Sequence, residues 1–264
     1  MNAFTEHGGI QVAARAGYAT RGVVYLIIAF FTFLAAIGNG GKTGTKGALQ
    51  TLMEQSFGAI LIGLVVLGLF GYAAWRLLQA IADADNHGVD PKGLVIRGAL
   101  LVSAFTYLAL SFYALSLLGL WSSSGSGGKS SVISMAVNAV GPMIVTMALG
   151  LVFSGVAFAH FRKAWTKKFN DHIQAPAKYQ TMIDIISIVG LTSRGLIFAV
   201  IAIILFTRLP QLGEGDVSVP DLKTALDYVQ SLPMGWLPLA LLAVGIALFA
   251  SYSLVESRWR QVSV

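Results

Sequence analysis

The sequence predicts an all-α membrane protein in which six transmembrane helices form three parallel two-helix repeats around a pseudo-threefold axis. Two observations carry this prediction, an apolar composition and a motif that occurs three times. Hydrophobic residues make up 56% of the 264 positions, charged residues make up 11%, and the mean hydropathy is +0.73. Soluble globular domains have about 25% charged residues. Lipid must therefore cover much of the surface of this chain.

The recurring motif is Gly-x-x-x-Arg-Gly, and each copy opens a long apolar run. The three copies lie at 17–22, 93–98 and 190–195. Self-similarity of this kind indicates an internal repeat. We assign one membrane domain to residues 1–264, with repeats at 12–80, 90–165 and 185–260. Because each repeat has two spans, all three have the same orientation, and such parallel repeats are related by an axis along the membrane normal.

Six apolar stretches are long enough to cross a bilayer as helices. They lie near 22–38, 57–76, 95–119, 136–160, 184–207 and 236–256. Short amphipathic helices are predicted in the outer loops of repeats one and three, around 48–53 and 222–232, because apolar residues there recur at helical spacing. In repeat two, the Ser- and Gly-rich segment 122–128 predicts a flexible linker, followed by an apolar stretch from Val132 to Val140.

Basic residues predict the orientation. Most of the 18 lysines and arginines lie on the side that holds both termini and the connections between spans two and three and between spans four and five. Cytoplasmic loops carry such an excess, so we expect a bacterial cytoplasmic (inner) membrane protein with cytoplasmic N and C termini. Anionic lipids on that face explain the formal charge of +6 without a nucleic-acid partner.

A polar layer near the cytoplasmic end is the predicted site. Its members come from the arginine of each motif and from an aligned position at the end of each repeat. They are Arg21, Arg97, Arg194, Arg76, His160 and Glu256. The run from Gly195 to Thr207 is too short to span a membrane, so the helix must extend below Arg194 and hold its guanidinium inside the bilayer. Glu256 is the expected partner of Arg194, with Asp184 as a second candidate. For Arg97, a snorkelling side chain at the span boundary is an adequate alternative.

The glycines beside these arginines predict close helix packing. They are Gly17, Gly22, Gly93, Gly98, Gly190 and Gly195. A phosphate-binding glycine loop is the weaker alternative, because no strand precedes any of them.

With these motifs in view, the chain resembles a bacterial family of integral membrane proteins catalogued as domain of unknown function 1206. The matching features are the three Arg-Gly pairs, the run Gly-Tyr-x-x-Trp-Arg from Gly71 to Arg76, and the Ala-Leu pairs of the outer loops. The resemblance implies a membrane location and three tandem two-helix repeats, and it implies no activity. Repeat two departs most, because its outer loop lacks the Lys-x-Ala-Leu pattern of the other two.

The sequence contains no pattern typical of a catalytic or cofactor site. There is no cysteine, and the four histidines, His7, His87, His160 and His172, form no i, i+4 pair. We therefore expect no metal, no haem and no other cofactor. Neither a nucleophile with its base nor a metal cluster is suggested by spacing, so an enzyme is not predicted.

Two functions stay open. The first is a transport-like conduit or carrier for a small solute or anion, which would use the arginine layer. The alternative is a non-transporting scaffold, assembly or lipid-binding module. There the basic connection between spans four and five, with Arg162, Lys163, Lys167 and Lys168, would dock lipid head groups or a protein partner of unknown identity.

Overall fold

A computed structural model of the chain describes residues 3–38, 41–121, 127–209 and 217–261. Within these ranges the chain forms nine α-helices and two short 3-10 turns, the latter at Asn170–His172 and Ala177–Tyr179. The helices are α1 (Ala3–Ala36), α2 (Thr45–Met53), α3 (Gly58–Ile81), α4 (Pro91–Leu117), α5 (Gly127–Val140), α6 (Pro142–Trp165), α7 (Gln180–Arg208), α8 (Leu222–Ser231) and α9 (Trp236–Trp259).

Six of these helices, α1, α3, α4, α6, α7 and α9, are long and apolar enough to cross a membrane. The prediction of an all-α fold with six spans is therefore confirmed. The boundaries differ most at the first span, because α1 begins at Ala3 and not near residue 22. The fourth span begins at Pro142 and not near residue 136. Gly141 there has a φ of +87°, and Pro142 occupies the first helical position. A glycine in the left-handed region followed by a proline separates α5 from α6.

The helix starts follow from local capping chemistry where the sequence supplies it. Asp90 precedes α4 and accepts a hydrogen bond from the Gly93 backbone N–H at 3.1 Å, with Pro91 at the first helical position. Asp221 precedes α8 and accepts from the Thr224 backbone N–H at 2.9 Å. Both carboxylates satisfy an N–H group that has no partner within its own helix.

The two predicted outer helices are present as α2 and α8, and their apolar sides pack on the bundle. Ala48 and Leu49 of α2 are buried, as are Ala225, Leu226 and Val229 of α8. This burial indicates that the outer helices cover one end of the bundle. The predicted linker at 122–128 lies mostly outside the described residues, and its last two positions begin α5.

The membrane-spanning helices pack in the order α4, α3, α1, α9, α7, α6. The first and last spans, α1 and α9, form the central pair. The two long helices of the predicted middle repeat, α4 and α6, lie at opposite ends of this order and share no comparable interface. This arrangement is an open arc and not a closed ring of three hairpins, so the threefold axis and the repeat boundaries stay predictions.

Two glycines of the recurring motif lie at close contacts between helix backbones. A Cβ atom added to Gly17 of α1 would lie 2.7 Å from the Cα of Tyr72 in α3, and one added to Gly190 of α7 would lie 2.7 Å from the Cα of Phe249 in α9. Lipid tails are as apolar as the side chains they replace, so helix association depends on such close packing. Small residues therefore position α1 against α3 and α7 against α9.

Candidate functional site

A buried polar network joins α1, α3 and α9. Arg21 of α1 stands at its centre with 6% of its surface exposed. Its Nε donates to Ser253 Oγ at 3.0 Å, Nη1 to the Tyr72 hydroxyl at 2.6 Å, and Nη2 to Glu256 Oε2 at 2.5 Å. Each of its three nitrogens therefore has a partner. A charge inside a membrane protein is retained only when it is paired in this way.

Glu256 of α9 receives hydrogen bonds from three side chains. Besides Arg21, the Tyr252 hydroxyl donates to it at 2.9 Å and Arg260 Nη1 at 2.7 Å. The expected pair between Glu256 and Arg194 is wrong. The Glu256 carboxylate binds Arg21 of α1 and Arg260, whereas Arg194 lies on α7 and binds other partners.

Arg194 is held by aromatic side chains. One of its terminal nitrogens donates to the Tyr25 hydroxyl, and its guanidinium carbon lies 5.0 Å from the Tyr25 ring centre, 5.1 Å from Phe198 and 4.7 Å from Phe249. Cation–π contacts of this kind stabilise a desolvated guanidinium. Within the described residues, no carboxylate forms an ion pair with Arg194.

Asp184, the second expected partner of Arg194, binds elsewhere. It accepts from Lys167 Nζ at 2.7 Å and from Asn170 Nδ2 at 3.0 Å. Both residues belong to the connection between α6 and α7. Ten positions of α-helix separate Asp184 from Arg194, which corresponds to about 15 Å along the axis. A direct contact between the two side chains is thus out of reach.

Arg97, the motif arginine of the middle repeat, lies apart from the network. Its Nε donates to the Ala80 carbonyl at 2.7 Å and Nη2 to the Ile81 carbonyl at 2.9 Å. These carbonyls belong to the last turn of α3 and have no partner within the helix. Arg97 is partly exposed and caps the end of α3 from the start of α4. Its position agrees better with the alternative, an arginine at the span boundary, than with membership of a buried polar layer.

Arg76 joins the network through Tyr72, and His160 does not join it. Arg76 Nη2 donates to the Tyr72 hydroxyl, and Nη1 donates to Gln79 Oε1 at 3.1 Å. The His160 Nδ1 lies 2.8 Å from the Val156 carbonyl of its own helix, and its ring centre lies 5.2 Å from that of Phe198. The structure thus brings Arg21, Arg76 and Glu256 together and places His160 beside the aromatic surroundings of Arg194.

Sequence reasoning missed several members of the network. Tyr72, Ser253, Asp85 and Arg260 belong to it, since Arg260 Nη2 also donates to Asp85 at 3.2 Å. Two signals were available. Tyr72 and Tyr252 occupy equivalent positions in the aligned ends of repeats one and three, and Arg260 follows Glu256 by four residues, the spacing of an ion pair on a helix.

The chain after α9 is tied to the connection between α6 and α7. The Gln174 N–H donates to the Trp259 carbonyl at 2.9 Å, and the Gln261 N–H donates to the His172 carbonyl at 2.8 Å. Burial lowers the pKa of His172, and the positive charge of Arg260 lowers it further. His172 is therefore neutral near pH 7. We call this end of the bundle, with the α3–α4 and α6–α7 connections, the basic face.

The network is organised for ion pairing. Its carboxylates accept from guanidinium and hydroxyl groups, and no nucleophile is paired with a base among the residues just described. In the part of the chain that the structure describes, no three His, Asp or Glu residues cluster as metal ligands would. The arrangement joins helices and gives no positive indication of catalysis.

Comparison with known proteins finds one family and one curated relative. The family model described as Domain of Unknown Function (DUF1206) matches residues 16–83 and 189–260, slightly more than half of the chain. "Uncharacterized protein YxxB" of Bacillus subtilis (strain 168) is 28% identical over 259 residues, which cover 96% of this chain and 92% of that protein. No solved structure matches. Arg21, Tyr72 and Glu256 all lie inside the two matched regions, whereas Arg97 and His160 lie outside them.

Proposed function

We propose, from the premise that the chain belongs to the DUF1206 family, that this integral membrane protein is a non-transporting scaffold or assembly module. In this proposal the arginine network ties the first and last spans together, and the basic face is the side that meets other molecules. The observation that carries the proposal is the full pairing of Arg21.

A carrier needs charged groups that can exchange one partner for another. Arg21 would have to release Glu256, Tyr72 or Ser253 before its guanidinium could bind an anion, and all three are buried with it. Leaving Glu256 without that partner inside the bundle would cost several kcal/mol. The pairing therefore supports a structural role for this arginine over a substrate-binding role.

The basic connection between α6 and α7 supports a contact surface, but only some of its basic side chains are free to meet another molecule, because others bind within the protein. Lys163 Nζ donates to the Tyr252 hydroxyl at 3.0 Å, and Lys167 pairs with Asp184 at 2.7 Å. Arg162 and Lys168 are exposed. These two side chains are the ones that we expect to meet lipid head groups or a protein partner.

Reconstitution into liposomes tests the proposal. We expect the flux of chloride, nitrate and phosphate to equal that of empty vesicles. A photo-crosslinking residue introduced at Lys168 should give a discrete protein adduct in cells, and the same residue at exposed Glu54, in the outer connection after α2, should give none. Saturable anion flux, or equal crosslinking from both positions, contradicts the scaffold.

A specific observation also favours the second candidate, a conduit for a small anion. Arg194 is half-buried and is bound through a hydroxyl and aromatic rings, so some of its N–H groups could meet an anion without breaking an ion pair. It lies beside His160 of α6, an end helix of the open arc. Flux that appears in wild-type vesicles and disappears with Arg194→Ala would establish this candidate and reject the first.

A further inference from the structure

A cleft of about 560 Å³ opens on the basic face and borders the Arg21 network at Arg260. It lies between the beginning of α1, the end of α9 and the connection between α6 and α7. Its polar lining consists of three arginines and three glutamines. They are Arg15, Arg258, Arg260, Gln11, Gln174 and Gln261. A volume of this size accommodates a small ligand or a lipid head group.

Among the described residues, the lining of the cleft carries positive charge and no carboxylate. Arg260 is offset by its ion pairs with Glu256 and Asp85. Arg15 and Arg258 have no carboxylate within ion-pair distance among the described residues. The excess positive charge of the cleft therefore comes from these two side chains, one from each of the central helices α1 and α9.

Two buried donors in the lining lack a partner. The Nε atoms of Arg15 and of Arg260 are buried and make no hydrogen bond to any of the described residues. Only 6% of the Arg260 surface is exposed. A buried N–H group without an acceptor costs free energy. An anion in the cleft would add acceptors beside the guanidinium groups to which these donors belong.

The end of α9 would by itself oppose an anion, because a helix C-terminus carries partial negative charge. Here two backbone carbonyls at the end of α9 already accept hydrogen bonds. The Trp259 carbonyl accepts from the Gln174 N–H, and the Glu256 carbonyl accepts from the Arg260 N–H at 3.1 Å. The side-chain amides of Gln174 and Gln261 add neutral donors to the same wall.

We propose that this cleft is a binding site for a phosphate group, carried either by an anionic phospholipid or by a soluble phosphate ester. The planar guanidinium fork matches the oxygens of phosphate in a bidentate way. The candidate span of α1 begins at Gln11 and that of α9 ends at Trp259, so the cleft lies where head groups meet the hydrocarbon boundary. The site is separate from Arg194 and does not depend on whether the protein transports anything.

The test uses the full-length protein with two ligand probes. Native mass spectrometry from nanodiscs of phosphatidylcholine with one-fifth phosphatidylglycerol counts retained lipids. Calorimetry in detergent measures binding of glycerol 3-phosphate and inorganic phosphate. The variants are Arg15→Gln and Arg258→Gln. The control, Lys92→Gln, removes one positive charge from an exposed position on the same face outside the cleft. Arg260 is kept, because it holds Glu256 and Asp85.

We expect wild-type protein to bind at least one probe and each cleft variant to bind it roughly tenfold more weakly or worse, since charge-assisted hydrogen bonds are lost. The control should bind as wild type does, and all variants should keep the wild-type thermal midpoint. Retained phosphatidylglycerol without soluble binding identifies a lipid site, and the reverse identifies a phosphate-ester site. Binding of neither probe, or equal weakening in the control, overturns the proposal.

Discussion

Arg21 and Glu256 lie 235 positions apart in the chain, and their side chains meet at 2.5 Å inside the bundle. This pair connects the first membrane-spanning helix to the last. Glu256 also accepts from Arg260, so one carboxylate contacts two guanidinium groups, of which only Arg260 has a second carboxylate, Asp85. The two members of the pair are therefore not equivalent, and removing one should not have the same consequence as removing the other.

The first prediction concerns that asymmetry. Glu256→Gln should lower the free energy of unfolding by about 3–5 kcal/mol, because it leaves two buried cations without their shared carboxylate. Arg21→Met should cost less, because Arg260 and Tyr252 still bind Glu256. Thermal midpoints in detergent measure both effects. Glu54→Gln, at an exposed position, is the control and should match wild type. An Arg21→Met midpoint at or below that of Glu256→Gln would contradict the prediction.

The second prediction uses the glycines of the recurring motif. Gly17→Ala and Gly190→Ala should each destabilise the protein by about 1–3 kcal/mol, since the new Cβ atom would press on the backbone of Tyr72 or Phe249. Gly98→Ala is the matched control, because nothing lies within 4 Å of its Cβ position. Alanine favours a helix over glycine, so the control midpoint should stay level or rise. Equal losses at all three positions would show that packing is not the cause.

The helices were predictable because hydropathy and capping are local properties. The order of the helices was not, because every span is apolar and composition does not say which neighbour it packs against. The triplicated motif suggested three two-helix repeats around a pseudo-threefold axis, whereas α4 and α6 lie at opposite ends of the packing order. The break at Gly141 was readable from its Gly-Pro pair, although the apolar run across it concealed the boundary.

The site was predictable only in part, because three of the six predicted residues lie outside the network and most of the partners were missed. Arg21, Arg76 and Glu256 do share one network, since each bears a charge that the bundle must pair. Arg97 carries the same motif and lies elsewhere, because the carbonyls at the end of α3 are within its reach. The motif determines where an arginine lies along its own helix. The groups that the guanidinium binds depend on the neighbouring helix, which the motif does not specify.

The third prediction separates Arg97 from Arg21. Arg97→Ala should cost about 1–2 kcal/mol, the loss of hydrogen bonds to two carbonyls at a partly exposed helix end. This is less than the loss at Glu256. Lys92→Ala, at an exposed position in the first turn of α4, should leave the thermal midpoint unchanged. A loss for Arg97→Ala as large as that for Glu256→Gln would place Arg97 in a buried layer after all.

The fourth prediction concerns orientation. We propose cytoplasmic termini, which places Lys168 inside and the α2–α3 connection outside. The chain has no cysteine, so a single introduced cysteine reports its own side. In intact cells a membrane-impermeant maleimide should label Glu54→Cys at once and Lys168→Cys only after permeabilisation. Both positions are exposed, so burial cannot explain a difference. The reverse pattern would invert the proposed topology and place the phosphate cleft outside.

The fifth prediction is a pH dependence that arises at His172. Burial, followed by the charge of Arg260 and also that of Lys163, lowers its pKa, and the nearby Asp85 and Asp171 oppose this shift. An unfolded histidine takes up a proton near pH 6.5, whereas the folded one stays neutral to lower pH. The unfolded state therefore binds more protons as the pH falls below about 6.5, and stability decreases. Above that pH the group contributes no dependence.

Thermal midpoints in detergent between pH 8 and pH 5 measure the effect. Wild type should lose stability below pH 6.5, with the loss complete once the pH lies below the folded pKa of His172. His172→Gln cannot take up the proton, so its curve should be flatter over the same interval. Lys168→Gln, in the same connection, should keep the wild-type slope. If the glutamine variant retained the full slope, the proton uptake that lowers stability would have to occur at another residue, and the half-buried His172 would contribute no pH response.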